Sequence, residues 1–161
     1  MIFTRRLTVS VKNLTQGGAL QFGGEWFGSG GWRTSRVERV DDHAMIELEN
    51  KAMLQGVSGY VYFHTSDHSQ MFVFAFSCPI TTACCFTARS GQMLPDCRAL
   101  LERVPEVPRP GTGLRRAELC AWETIELQDE HVTVHCVVLP VDTSVRIPEE
   151  LGQRLPKARI C

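Results

Sequence analysis

Residues 71–79 read Met71-Phe72-Val73-Phe74-Ala75-Phe76-Ser77-Cys78-Pro79. The first six are continuously apolar, as expected of a central strand buried on both faces. Pro79 has no N–H to give to a ladder, so the strand ends there. Just upstream, Tyr60-Val61-Tyr62-Phe63 is strand-like in composition. The polar stretch 64–69 between them reads as a hairpin connection. Residues 84–88 begin a further strand.

Working outward, residues 5–12 place Leu7, Val9 and Val11 on one face, the period-two pattern of a half-buried strand. Residues 16–31 hold Gly17, Gly18, Gly23, Gly24, Gly28, Gly30 and Gly31 around Trp26 and Phe27, and read as turns and short edges. Residues 32–40 and 43–49 read as two more strands, separated by Asp41 and Asp42. A helix is expected at about residues 94–104. There Leu94, Cys97, Leu100, Leu101 and Val104 recur at three- and four-residue intervals, and Pro95-Asp96 suits a first turn. A Pro- and Gly-rich loop follows, then strands at 119–127 and 131–139. The expected fold class is mainly β: a β-sandwich with one flanking helix. It occupies residues 1–141, and residues 142–161 form a partly flexible tail with one short helical turn at 149–155.

The chain has 161 residues, 43% hydrophobic and 22% charged, which fits one domain with one core. A formal net charge of -1 argues against a nucleic-acid binder that depends on a bulk positive field. Of 17 cationic residues only Lys12, Lys51 and Lys157 are lysines. Arginine forks grip phosphate or carboxylate bidentately, although an Arg-rich codon preference gives the same composition. No apolar segment approaches the ~20 residues that span a bilayer. No signal peptide is read at the start. The expected location is therefore the cytoplasm, or outside the cell by release without a leader, and peripheral to membranes when bound. Seven cysteines make an odd count and read mainly as reduced thiols.

Catalytic patterns are missing. His64 and His68 precede Cys78, Cys84, Cys85 and Cys97, but no C-x₂-C pair completes a zinc motif, so no metal is expected. His131 and His135 share a strand face and read as surface histidines. No G-x-S-x-G elbow occurs, and Gly28-Ser29-Gly30-Gly31 lacks the ending of a P-loop. Glu123 and Glu126 alternate with apolar residues and read as facing solvent. No acid/base pair assembles, so neither an enzyme nor a cofactor is expected.

Four stretches in order resemble the actinoporin family of cytolysins, which share a fold with fungal fruit-body lectins. They are Arg5-Arg6-Leu7-Thr8-Val9-Ser10-Val11-Lys12-Asn13, Trp26-Phe27-Gly28-Ser29-Gly30, Gly56-Val57-Ser58-Gly59-Tyr60-Val61-Tyr62, and Val73-Phe74-Ala75-Phe76-Ser77-Cys78-Pro79. The resemblance covers roughly residues 5–139 and implies an actinoporin-like β-sandwich. It also implies a phosphocholine-type ligand, as in sphingomyelin, at Ser29, Ser58, Ser77 and Pro79, with Trp26 and Phe27 as interfacial aromatics. Hydroxyls satisfy phosphate oxygens, and aromatic faces attract a quaternary ammonium. The family's homo-oligomers on membranes are implied too.

Two departures change the expectation. After Pro79 only Phe86 is aromatic in the stretch that is aromatic-rich in the family, and the helix carries no tyrosine. Only Met1 to Thr4 precede the basic pair, where the family has a pore-lining helix, so binding is expected without a pore of that kind. Three functions follow in order: a peripheral membrane protein binding a lipid head group, a lectin binding a glycan on the same surface, and an intracellular protein-interaction module. For a glycan, Trp26 or Trp32 would stack on the sugar ring, with Arg89 or Asp67 on its hydroxyls.

Overall fold

The computed structural model describes residues 4–141. The expected tail and its helical turn lie outside them. Eleven strands and one short helix follow one another: β1 (Arg6–Asn13), β2 (Leu20–Ser29), β3 (Gly31–Trp32), β4 (Arg39–Val40), β5 (His43–Glu49), β6 (Val57–His64), β7 (Met71–Cys78), β8 (Cys85–Gly91), α1 (Cys97–Leu101), β9 (Arg115–Ala117), β10 (Cys120–Leu127) and β11 (His131–Val138). They form a six-stranded sheet, β3-β5-β1-β11-β10-β9, and a five-stranded sheet, β4-β2-β6-β7-β8. The expected sandwich with a flanking helix is the observed architecture.

Alternation drives the two layers together. Leu7, Val9 and Val11 of β1 and Val132, Val134 and Cys136 of β11 face inward from the larger sheet. Val57, Val61 and Phe63 of β6 meet them from the smaller one, with Phe72, Phe74 and Phe76 of β7. Phe74 stacks on Phe86, and Phe86 meets Trp122 edge-on across the sheets. Residues 72–76 are buried throughout, as expected. Outward Val73 and Ala75 are covered because α1 packs against β7.

Several expectations are corrected. The glycine-rich stretch forms a ten-residue strand, β2, because β6 supplies a continuous partner. The strand expected at 32–40 is broken into β3 and β4, since the chain leaves one sheet and enters the other between them. The helix is five residues long rather than eleven. Asp96 caps its start by accepting from the Ala99 N–H at 3.2 Å. Pro105 biases Val104 away from helix, and the chain then pairs with the edge of β8: Phe86 N donates to the Pro105 carbonyl and Val107 N to that of Cys84. Strand β9 was not expected at all. Cys78 and Cys84 are joined in a disulfide, where free thiols were expected; Cys85, Cys97, Cys120 and Cys136 are free. Glu123 is buried, not solvent-facing. It lies on the outer side of β10 opposite His135, next to a second small cluster of Leu114, Ala121, Val137 and Leu139.

Candidate functional site

The outer face of the five-stranded sheet gathers the candidate residues. Along β6, Val57, Gly59, Val61 and Phe63 are buried, while Ser58, Tyr60, Tyr62 and His64 look outward. In register, Ser29 lies opposite Ser58, Ser58 opposite Ser77, and Ser77 opposite Cys85. Three serines from three strands thus form one transverse row. The hydroxyls of Ser29 and Ser58 are 3.0 Å apart and share a hydrogen bond. Pro79 stands just past the end of β7, packed against Gly56.

Beside the serines runs an aromatic row. Trp26 lies opposite Tyr60, with ring centroids 6.2 Å apart and planes 25° from parallel. Tyr60 and Tyr62 follow at 6.5 Å and 24°. Trp26 is 43% exposed and forms the open end of the row. An odd separation normally puts two strand residues on opposite faces. Trp26 and Ser29 share a face because β2 bulges between Phe27 and Ser29, with Gly28 as the extra residue.

The glycines of β2 and β6 make this geometry feasible. A Cβ on Gly23 or Gly24 would fall 2.5 or 2.6 Å from atoms of the Tyr62 side chain, so that ring lies directly on bare backbone. At Gly59 the backbone has φ +147°, and a Cβ would lie 2.0 Å from the Trp26 carbonyl oxygen. Only glycine lets β2 approach β6 closely enough to stack Trp26 on Tyr60.

Helix α1 borders the row. Burial pushes the Tyr60 phenol above its ordinary pKa; Cys97 and Tyr62 add to the rise and Arg98 opposes it. Arg98 thus brings one positive charge to the edge of the aromatic face. Phe27 is not on this face. It turns inward, 5.9 Å from Phe76 and 6.4 Å from Trp32. Trp32 belongs to the larger sheet, and its indole N–H donates to the Glu25 carboxylate at 3.2 Å. Asp67 sits in the turn at the other end of β6, and Arg89 on β8 is 3.7 Å from Glu118. The sequence reading missed Tyr60 and Tyr62 as site residues. The alternation Ser58-Gly59-Tyr60-Val61-Tyr62 is the signal that could have found them.

A polar cleft of about 650 Å³ opens beyond Pro79, lined by Arg5, residues 80–84, Arg109 and Asp129 among others. The Arg5 guanidinium is buried and donates to the main-chain carbonyls of Thr82, at 3.0 Å, and Asp129. Burial lowers its pKa, opposed by the charge of Asp129. Histidines cluster elsewhere, on the outer face of the larger sheet. His131 is 2.8 Å from the Thr8 hydroxyl, and His43 and His135 are 2.7 and 3.1 Å from that of Ser10. Among the described residues, no group of three His, Cys, Asp or Glu side chains is placed to hold a metal ion.

By sequence the chain matches no protein-family model and no curated protein. Its architecture does match solved structures. The lipid-binding protein Nakanori is 14% identical with a TM-score of 0.60, over 83% of this chain and 70% of that one. The Xerocomus chrysenteron lectin XCL is 12% identical with a TM-score of 0.51, over 83% of this chain and 98% of that one. At such identities the likeness is one of fold. The two sheets, the flanking helix and these neighbours together give the chain the actinoporin-like β-sandwich fold that fungal lectins share.

Proposed function

We propose that the chain is a peripheral membrane protein that binds a choline-phosphate lipid head group, as in sphingomyelin, on the outer face of its smaller sheet. One observation carries this reading: the exposed indole of Trp26 ends a stacked aromatic row beside the paired hydroxyls of Ser29 and Ser58. An indole of this kind suits the head-group layer of a bilayer. Aromatic faces attract a quaternary ammonium, and hydroxyls donate to phosphate oxygens. Tyr60 and Tyr62 supply the aromatic surface that the stretch after Pro79 lacks. The role is binding rather than catalysis, in keeping with fold neighbours that are a lipid-binding protein and a lectin.

A second reading rests on the same indole. An exposed aromatic face beside convergent hydroxyls also stacks on a pyranose ring. Co-sedimentation with choline-free liposomes of phosphatidylethanolamine and phosphatidylglycerol, with and without sphingomyelin, separates the two. Sphingomyelin-dependent binding is expected, and Trp26→Ala should weaken it about tenfold or more, the scale of one lost anchoring aromatic. If neither liposome binds the protein, the lipid reading fails and a glycan array tests the second. If Trp26→Ala binds as well as the unmodified chain, the site is misplaced.

A further inference from the structure

The two sheets leave an opening on the side where β8 and β9 are their edge strands. A cavity of about 280 Å³ lies there, and none of the serine-row residues of β2, β6 and β7 lines it. Its floor is aromatic: Phe86 and Trp122, the latter only 5% exposed. Pro105 and Pro108 line it from the segment that pairs with the start of β8. Its cations come from two strands. Arg89 projects from β8, and Arg115 and Arg116 are consecutive in β9.

Consecutive residues of a strand face opposite ways. Here Arg115 is in register with inward-facing Trp122, and Arg116 with Ala121. Both still line the cavity because β9 is the last strand of its sheet and its edge is open. The charge is unbalanced. Glu106 is the one carboxylate in the lining, against three guanidinium groups. Arg89 is 3.7 Å from Glu118. Among the described residues no carboxylate lies within ion-pair distance of Arg115 or Arg116. A neighbouring cavity of about 310 Å³ shares Thr87 and Arg89, and there Asp96 and Glu118 balance Arg89 and Arg103, so the excess charge is confined to the first cavity. Arg115 and Arg116 thus stand consecutively, neither in an ion pair with a described carboxylate, beside an aromatic floor.

We propose that this cavity is a second binding site, for a phosphate ester. The guanidinium forks of Arg115 and Arg116 hold the phosphate, and the organic part rests on Trp122 between Pro105 and Pro108. Arginine forks match the oxygens of phosphate in pairs, and a ring lying on an indole gains dispersion and stacking. The ester can arise from a soluble sugar phosphate or from a phosphomonoester lipid head group, and the two share this chemistry.

The test titrates the full chain with inorganic phosphate and with glucose 6-phosphate by calorimetry. In parallel it is sedimented with choline-free vesicles of phosphatidylethanolamine and phosphatidylglycerol, with and without phosphatidic acid. Phosphate-ester binding that weakens as salt rises is expected, and the double substitution R115Q/R116Q should reduce it at least about tenfold, the scale of lost charge-assisted hydrogen bonds. The double R115K/R116K keeps the charge and loses the fork, so it should bind between the two. Unfolding curves of both variants confirm that they fold, and Trp26→Ala should bind phosphate normally, which separates this site from the serine row. Binding of glucose 6-phosphate assigns a soluble source; vesicle binding that depends on phosphatidic acid, without binding of glucose 6-phosphate, assigns a lipid one. No binding to any of the three probes overturns the proposal, as does equal binding by R115Q/R116Q.

Discussion

Asp67 shows how a surface residue is fixed by its own turn. Its carboxylate accepts from the Thr65 hydroxyl, the Ser69 N–H and the Ser69 hydroxyl, at 2.7, 3.0 and 2.7 Å. These bonds, those from Ser69 first, hold its pKa down at about 2. A carboxylate depressed in the folded state contributes stability that is present above its ordinary value near 4. That contribution is lost as pH falls from there through about 2. A carbon-detected NMR titration should therefore place the Asp67 midpoint near 2, and a midpoint near 4 would contradict the turn geometry. Asp67→Asn should remove this part of the acid dependence of unfolding. Side chains like this one are legible in sequence, since Thr-Ser-Asp-His-Ser is a turn by composition. The aromatic row is not so legible. Trp26 and Tyr60 lie on different strands, and nothing local to either shows that a bulge at Gly28 and bare backbone at Gly59 bring them together.

At the scale of elements, the loop between β7 and β8 is a closed ring, tied by the Cys78–Cys84 disulfide. It carries Pro79, and residues 80–84 line the polar cleft. A link across so short a loop limits the unfolded chain by about 2 kcal/mol in the loop-entropy picture. Cys78→Ser combined with Cys84→Ser should lower stability by about that much in urea unfolding under oxidising conditions. Under full reduction the two proteins should converge. If the double variant is as stable as the unmodified chain without reductant, the bridge contributes nothing. The reading of free thiols missed this pair because spacing cannot reveal that Cys78 ends one strand and Cys84 abuts the next. Proline had a similar hidden effect on α1. Periodicity extended the helix to Val104, but Pro105 and the backbone bonds of residues 105–107 to β8 draw the chain away after Leu101. By contrast β7 was plain, because an unbroken apolar run with a terminal proline leaves few alternatives. Strand β2 was hidden behind its glycines, which are needed for contact with Tyr62 rather than for turning.

At the scale of the molecule, one core joins both sheets, and Phe74 lies at its middle between Phe63 and Phe86. Phe74→Ala should cost about 3–5 kcal/mol, the range for a buried aromatic cut to alanine. Domains of this size have only 5–15 kcal/mol in total, so the variant should unfold at markedly lower urea. An unchanged midpoint would mean that the sheets are not packed through this residue. The order of strands has a further consequence for synthesis. β1 sits between β5 and β11, antiparallel to one and parallel to the other, and the Ser10–His135 bond spans 125 residues. A chain emerging from the ribosome can pair β1 with β5 early, yet one side of β1 stays unpaired until nearly everything described here has been translated. Closure of the larger sheet is thus a late, long-range event, of the kind that slows folding. A translation product halted before residue 131 would present β1 as an open edge, a template for joining other chains. The larger sheet can be completed only once the whole of β11 has been made.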